Sequence, residues 1–288
     1  MVNYKSIKLS PGLYFVSTPI GSARDITLRA LDILANADVL AAEDTRTLKK
    51  LLEIHEIPIK NRILISYHDH NGSKARPKLL AHLEQGKSIA YTSEAGTPLI
   101  ADPGFSLLTG VISAENNVIS APGPCALIAA LTVGGLPTDR FCFEGFLPNN
   151  KSQRELKFRQ LQSYRGTLIF YESAKRLKDT LVKALEIFGE TRQAVVCREI
   201  TKKFEDIKRG NLKELSAFYS DKNVKGEIVL LIAGAVDFDT DQSKIEQYVK
   251  DALRSMSVKD SAEAVALAFN VPRRDVYQIA LKIKSDGD

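Results

Sequence analysis

The feature that most narrows what this chain can fold into is a repeated alternation. Short apolar, β-prone runs are separated by helix-length segments, and each run closes on a cluster of polar, Gly or Pro residues. The first run, residues 13–17 (Leu-Tyr-Phe-Val-Ser), opens into Thr18-Pro19-Ile20-Gly21. Runs at 38–42, 62–66, 88–92 and 117–120 end in Glu43-Asp44-Thr45-Arg46, in His68-Asp69-His70-Asn71, in the stretch 93–104, and in Ala121-Pro122-Gly123-Pro124-Cys125. Between them the spacing predicts a helix from Asp25, with Ile26, Leu28, Leu31, Ile33 and Leu34 as its apolar stripe, a lysine-bearing helix after Arg46, and an apolar helix over 126–133. Strands alternating with helices at this spacing give βαβ units and a parallel sheet. All the closing clusters then fall on one edge of that sheet, the edge where open α/β sheets bind ligands.

Gly134-Gly135-Leu136-Pro137-Thr138-Asp139 breaks the pattern and marks a boundary. Beyond it a second unit begins at 141–148, and the sequence predicts strands at 167–171, 193–198, 204–208 and 226–232, and helices at 152–163, 174–188 and 212–219. Strand following strand points to a mixed sheet. After the acidic stretch 237–241 the composition turns helical. Residues 261–268 and 270–277 have a helix-turn-helix pattern, with Pro272 in the first turn of the second helix and Val276, Ile279 and Ala280 facing its partner. Arg273 and Arg274 then either meet nucleic-acid phosphates or decorate a helical cap packed on the second domain. The division expected is 1–137, a parallel-sheet α/β domain; 138–238, a mixed-sheet α/β domain; and 239–288, a helical tail.

A net charge of +5 permits an anionic partner without demanding one. Cys125, Cys142 and Cys197 are far apart and form no CxxC, so neither a disulfide nor a zinc site is expected. Residues 1–10 lack an apolar leader segment, and the longest apolar run, 228–236, is too short to cross a membrane. A cytoplasmic protein without a membrane partner follows. Ala81 stands where a phosphate-binding loop ending in Gly86-Lys87-Ser88 needs its first glycine. No GxGxxG follows the first strand, and Ile59 replaces the second histidine a zinc-protease helix would pair with His55. His68-Asp69-His70 reads as a hydrogen-bonded loop rather than a metal centre.

The stretch 93–104, Ser-Glu-Ala-Gly-Thr-Pro-Leu-Ile-Ala-Asp-Pro-Gly, is longer and stiffer than an ordinary strand-to-helix turn. Together with Thr18-Pro19-Ile20-Gly21, Ala42-Glu43-Asp44-Thr45-Arg46, His68-Asp69-His70-Asn71, Pro122-Gly123-Pro124-Cys125-Ala126 and Phe170-Tyr171-Glu172-Ser173, it resembles the bacterial ribosomal RNA small-subunit methyltransferase I family over nearly the whole chain. Glu94 stands where that family usually has Asp, and Ala101 where it has Ser or Asn.

The resemblance implies a tetrapyrrole-methylase fold, S-adenosylmethionine as methyl donor in a cleft between two α/β domains, and methylation of a cytidine ribose in 16S ribosomal RNA of the small subunit, by a homodimer. It implies donor contacts from Pro19, Ile20, Gly21, Glu94, Ala95, Gly96, Leu99, Cys125, Ala126, Tyr171, Glu172, Glu227 and Ile228. A ribose hydroxyl needs help to lose its proton. The candidates at the strand ends are Asp44 and Arg46, for placing RNA, and His68 or Asp69, for the proton, with Asp102 a third choice. Lys49, Lys50, Lys151, Arg154, Lys157 and Arg159 are candidates for tracking phosphates. The rival readings are a tetrapyrrole methylase, whose branch carries a GxGPG-like loop where this chain has residues 19–24, and a non-catalytic RNA-binding assembly factor.

Overall fold

The computed structural model describes residues 3–235, 242–269, 271 and 273–285. Those up to Gly234 form one compact unit and those from Ala235 a second. In the first unit, β1 (Gly12–Val16), β2 (Val39–Ala42), β3 (Ile63–Ser66), β4 (Ser88–Thr92) and β5 (Val118–Ala121) make an all-parallel sheet in the order β3-β2-β4-β1-β5. Helices α1 (Leu28–Asn36) and α2 (Thr45–Ile54) bury Leu31, Ile33, Leu34, Leu48 and Leu52 on one face. Helices α3 (Gly72–Glu84) and α4 (Phe105–Ser113) bury Leu79, Leu83, Leu107 and Val111 on the other. β1, β2 and β4 are buried at every position, because both faces are covered.

Helix α5 (Ala126–Gly134) leaves this sheet and lies on a second one. That sheet is mixed: β6 (Phe141–Phe146), β7 (Thr167–Ser173), β8 (Gln193–Arg198), β9 (Asp206–Asn211) and β10 (Glu227–Ile232) run in the order β6-β7-β10-β8-β9, with only β6 and β7 parallel. Leu127, Ala130 and Leu131 of α5 pack against Ile169, Val195, Val229 and Leu231. The opposite face is covered by α6 (Lys151–Leu161), α7 (Leu177–Phe188) and α8 (Leu212–Tyr219) through Phe158, Leu181, Phe188 and Leu215.

Among the boundaries that differ from the sequence reading, three have a local cause. α1 starts at Leu28 rather than Asp25, because the Thr27 side chain accepts from the Ala30 amide at 3.1 Å and so caps the helix. Ile26, just outside the cap, joins Leu31 in the same apolar cluster and staples the entry. α7 starts at Leu177 rather than 174, because Arg176 turns back to Glu172. β9 occupies Asp206–Asn211 rather than 204–208, leaving Phe204 64% exposed; pairing with β8 sets its position, since its own sequence, Asp-Ile-Lys-Arg-Gly-Asn, is polar.

The second unit contains α9 (Gln242–Leu253), α10 (Val258–Phe269) and α11 (Arg273–Ser285), packed through Ile245, Val249, Ala262, Val265, Val276 and Ala280. Val276 and Ala280 are buried as the helix-turn-helix pattern predicts, and Ile279 packs beside them. Asn270 and Pro272 lie outside the described residues, so the predicted place of Pro272 in a first turn does too. No helix among the described residues is long and apolar enough to cross a membrane.

Candidate active site

β1 and β4 are neighbours, yet the chain leaves β1 toward one face of the sheet and β4 toward the other. The crevice between their carboxyl ends is therefore the topological switch point, where open α/β sheets hold ligands. An antiparallel bridge closes over it. Thr18 donates its amide to the Gly96 carbonyl at 2.9 Å, and Gly96 returns the bond at 3.1 Å. Gly96 has φ +79°, and a Cβ there would sit 3.2 Å from Ile20 Cγ2, so the bridge requires glycine.

Side chains lace the neighbouring loops to this bridge. Ser17 Oγ donates to Thr97 Oγ1 at 3.1 Å, and Thr97 Oγ1 donates to the Pro124 carbonyl at 2.9 Å. Glu43 Oε2 accepts from the Glu94 amide at 3.0 Å, which ties the end of β2 to the loop after β4.

The loop after β4 is held against its own backbone preference. Besides Gly96 and Gly104, Leu99 (φ +74°) and Ala101 (φ +61°) are left-handed. A non-glycine residue costs about 1–2 kcal/mol in that conformation, and such strain concentrates at functional sites. Ala101 is exposed and lacks the Asn amide that tolerates the left-handed region. Ala101→Gly is expected to stabilise the protein by about 1 kcal/mol in urea unfolding. A neutral or destabilising result would show that the loop is not strained at this residue.

Donor-site candidates distribute themselves in three ways. Ile20, Cys125, Ala126 and Tyr171 come together in the apolar cluster spanning the two sheets. The Tyr171 hydroxyl accepts from the Leu127 amide at 3.2 Å, in the first turn of α5, and its ring meets Phe143 edge-on at 4.8 Å. Burial, reinforced by Cys125, pushes the Tyr171 hydroxyl well above the usual tyrosine range, so it stays protonated. Pro19, Gly21 and Glu94 line a cavity of about 150 Å³ beside α2, together with Thr18 and Thr92. Those two threonines are 4% and 1% exposed, and neither hydroxyl has a hydrogen-bond partner. Ala95 is exposed next to the bridge.

Three candidates turn their side chains elsewhere. Leu99 packs with the α3/α4 face of the first sheet, its Cδ2 close to Gly104, so only its strained backbone lies on the loop's ligand edge. Glu172 alternates away from Tyr171 and is 2% exposed; it accepts from the Ser173 amide, Arg176 Nε and Thr180 Oγ1, each at 2.7 Å. Ile228 lies in the core beneath α6–α8, and Val229 rather than Ile228 shares the Tyr171 face. Glu227 stays exposed and pairs with Lys202 at 2.7 Å.

The catalytic candidates also separate. Asp44 caps α2 and grips Arg46, with Arg46 Nε 3.1 Å from Oδ1 and Nη2 2.7 Å from Oδ2. The Arg46 guanidinium holds the Asp44 carboxyl down to about 2, which makes Asp44 a poor proton acceptor. Arg46 remains 89% exposed. The His68 loop is hydrogen-bonded as expected: Asn71 Oδ1 accepts from the His68 amide at 2.9 Å, and Asn71 donates to the Ser66 carbonyl at 3.0 Å. His68 Nδ1 is buried without a partner, whereas Asp69 is exposed.

Asp102, given less weight by the sequence, is the perturbed carboxylate of the site. Burial raises it from 3.8 to about 6 against a hydrogen bond from Ser93, and the negative charges of Glu43 and Glu94 push it the same way. Glu43, Asp102 and Asp69 all act on the buried Tyr91 hydroxyl, which donates to the Pro103 carbonyl at 3.1 Å. Tyr171 also feels Asp102. Asp102 thus stands in the loop after β4 within electrostatic reach of both Tyr91 and Tyr171. No group of His, Cys, Asp and Glu among the described residues is arranged to hold a metal.

Of the lysines and arginines read as phosphate contacts, Arg154 is corrected outright. It is 4% exposed in the core side of α6, with its Nε unpartnered. Lys157 is paired with Glu144, Arg159 with Glu155 and Lys151 with Asp179, whereas Lys49 and Lys50 are exposed.

Residues 12–216, which carry the parallel sheet and most of the mixed one, match the family described as Tetrapyrrole (Corrin/Porphyrin) Methylases, and this match makes the chain an α/β methylase. A cobalt precorrin-4 methyltransferase structure matches with TM-score 0.59 at 16% identity, covering 77% of this chain and 94% of that one. A uroporphyrin-III C-methyltransferase from Thermus thermophilus, complexed with S-adenosylhomocysteine, matches with TM-score 0.54 at 17% identity over 77% and 97%. Residues 239–284 match the RsmI C-terminal HTH domain. Proteins named ribosomal RNA small subunit methyltransferase I are 40% identical in Mesorhizobium japonicum, over 97% of this chain and 96% of that protein, and 41% identical in Escherichia coli O157:H7, over 98% and 99%. The chain belongs to the ribosomal RNA small subunit methyltransferase I family.

Proposed function

We propose that this chain transfers a methyl group from S-adenosylmethionine to the 2′-hydroxyl of a cytidine in the decoding region of 16S ribosomal RNA, as a cytoplasmic homodimer acting on the small ribosomal subunit. The observation that carries the reading is near-full-length similarity to the named methyltransferases, combined with a perturbed carboxylate beside the switch-point loop. A helical unit beyond the two sheets, and a loop at 19–24 without a GxGPG-like pattern, favour RNA over a tetrapyrrole acceptor.

The residues suit the donor. A switch-point crevice capped by a glycine bridge, with two buried hydroxyls lacking partners, offers close backbone approach and unused hydrogen bonds. Ile20, Cys125, Ala126 and Tyr171 offer an apolar wall. When bound, S-adenosylmethionine supplies a methyl group on a positively charged sulfur, transferred by in-line displacement. The chain's own work is to hold the acceptor in line and take its proton. Asp102 accepts the 2′-hydroxyl proton, since a carboxyl titrating at about 6 is ionised near neutrality yet basic enough to act. Exposed Arg46, fixed by Asp44, is placed to meet a phosphate.

The test is methylation of small subunits and of protein-free 16S RNA with labelled S-adenosylmethionine, followed by digestion to nucleosides. Label is expected in 2′-O-methylcytidine. Label on a base, transfer only to a porphyrin, or no transfer to either RNA would overturn the reading. Light scattering checks the dimer.

A further inference from the structure

Within the helical unit, the first turns of α10 and α11 open onto a groove of about 440 Å³ lined by Lys259, Arg273, Arg274 and Tyr277. Three cations around one recess repel one another unless an anion joins them. Internal acids relieve this in part. Glu263 reaches Arg273 at 3.6 Å, Asp260 is held by Ser257 Oγ at 2.7 Å, and Asp275 follows Arg274 without lining the groove. Arg273 and Arg274 also stand at the positive end of α11, where basic residues oppose the helix dipole. Asp275 shares that first turn and Glu263 pairs with Arg273, so the repulsion is met in part from within, and an anion in the groove would answer the charge that Lys259 and Arg274 add.

The fourth wall is aromatic. Tyr277 is 36% exposed, and Leu281, one turn on along the same face, is 41% exposed. A ring with an apolar neighbour beside cations matches the way single strands are held, with bases stacked on aromatic faces and phosphates on Lys and Arg. A duplex-reading helix instead enters a groove of the nucleic acid as a convex rod, which a concave recess does not do.

We infer that the groove formed by Lys259, Arg273, Arg274 and Tyr277 binds an unpaired RNA segment, one base stacked on Tyr277 and its flanking phosphates on the three cations. The inference rests on RNA being the substrate, and it assigns a place and a strand state to that substrate.

The full-length protein is titrated by fluorescence anisotropy against an unstructured oligoribonucleotide and a duplex of the same composition, at several salt concentrations. Donor affinity is followed in parallel by calorimetry. The single strand is expected to bind more tightly than the duplex. Tyr277→Ala should weaken single-strand binding about tenfold, the scale of one stacked base, and Tyr277→Phe should restore it. Lys259→Ala with Arg274→Ala should lower the slope of log K against log salt by about 1.4, two phosphates' worth on a single strand. Both side chains are at the surface, so this pair reports even if Tyr277→Ala fails to fold.

Wild-type affinity in the alanine variants, an unchanged slope, or preference for the duplex overturns the inference. So does loss of affinity for intact small subunits alone, since that assigns the groove to a protein partner. Methylation of 16S RNA that survives while groove variants bind RNA normally sinks the inference and leaves the function standing. RNA binding through the groove without any methylation does the reverse.

Discussion

Asp102→Asn is expected to lower kcat by roughly 10²–10⁴-fold, the range for loss of a general base, while calorimetric donor affinity stays within a few-fold of wild type. The wild-type rate should fall as pH drops below about 6, where Asp102 takes up its proton, and the variant should lack that limb. Stability moves the other way. The folded-state value of about 6 lies above the ordinary 3.8, so between pH 4 and 6 the folded protein holds this proton more tightly than the unfolded chain. Stability contributed by Asp102 is therefore present below about pH 4 and lost as pH rises through 6. Asparagine cannot ionise, and at pH 7 the variant should be more stable by about 1 kcal/mol, discounted for partial exposure. Activity lost with stability gained is the mark of a charge kept in place for chemistry. A kcat within tenfold of wild type moves the proton to His68 or Asp69.

Glu172→Ala should produce the largest loss of stability, about 3 kcal/mol by urea unfolding. Removing one partner of a buried pair leaves the other without compensation. Here the carboxylate is fully buried and accepts from Arg176, Thr180 and the Ser173 amide. Arg176 in turn holds Asn149 and the Leu147 carbonyl at 2.8 Å, so the deletion also frees the loop between β6 and α6. The donor site should feel it only indirectly, through Tyr171 next door. A loss under 1 kcal/mol would mean that water replaces the carboxylate without penalty.

The strands that form the site were legible because they are apolar throughout and end in residues that break strands. The same property hid which way the side chains point. In Glu-Ile-Val-Leu-Leu-Ile both faces are buried, so no alternation in the sequence tells that Val229, and not Ile228, packs with α5 and Tyr171. For the same reason the sequence did not tell that the Glu172 side chain turns from Tyr171 to Arg176 and Thr180, one residue along β7. β9 was blurred because an edge strand carries polar residues, and pairing rather than hydrophobicity places it. Arg154 sits in a helix crowded with charge, and only packing against the second sheet tells it apart from its solvated neighbours. Asp102 was only the third choice for the proton in the sequence. It is buried in a loop whose backbone is left-handed at Leu99 and Ala101, a conformation that neither residue type announces.

Helix α5 bears on how this protein can be taken apart. It is joined to the last strand of the first sheet, yet its buried residues Leu127, Ala130 and Leu131 lie on the second. A cut at the glycine pair 134–135, where the sequence breaks its pattern, would strand an apolar helix on the amino-terminal fragment. The carboxyl-terminal fragment would carry a sheet face stripped to Ile169, Val195, Val229 and Leu231. Neither piece would be a soluble module, and each would tend to recapture the other. The two sheets are one inseparable object.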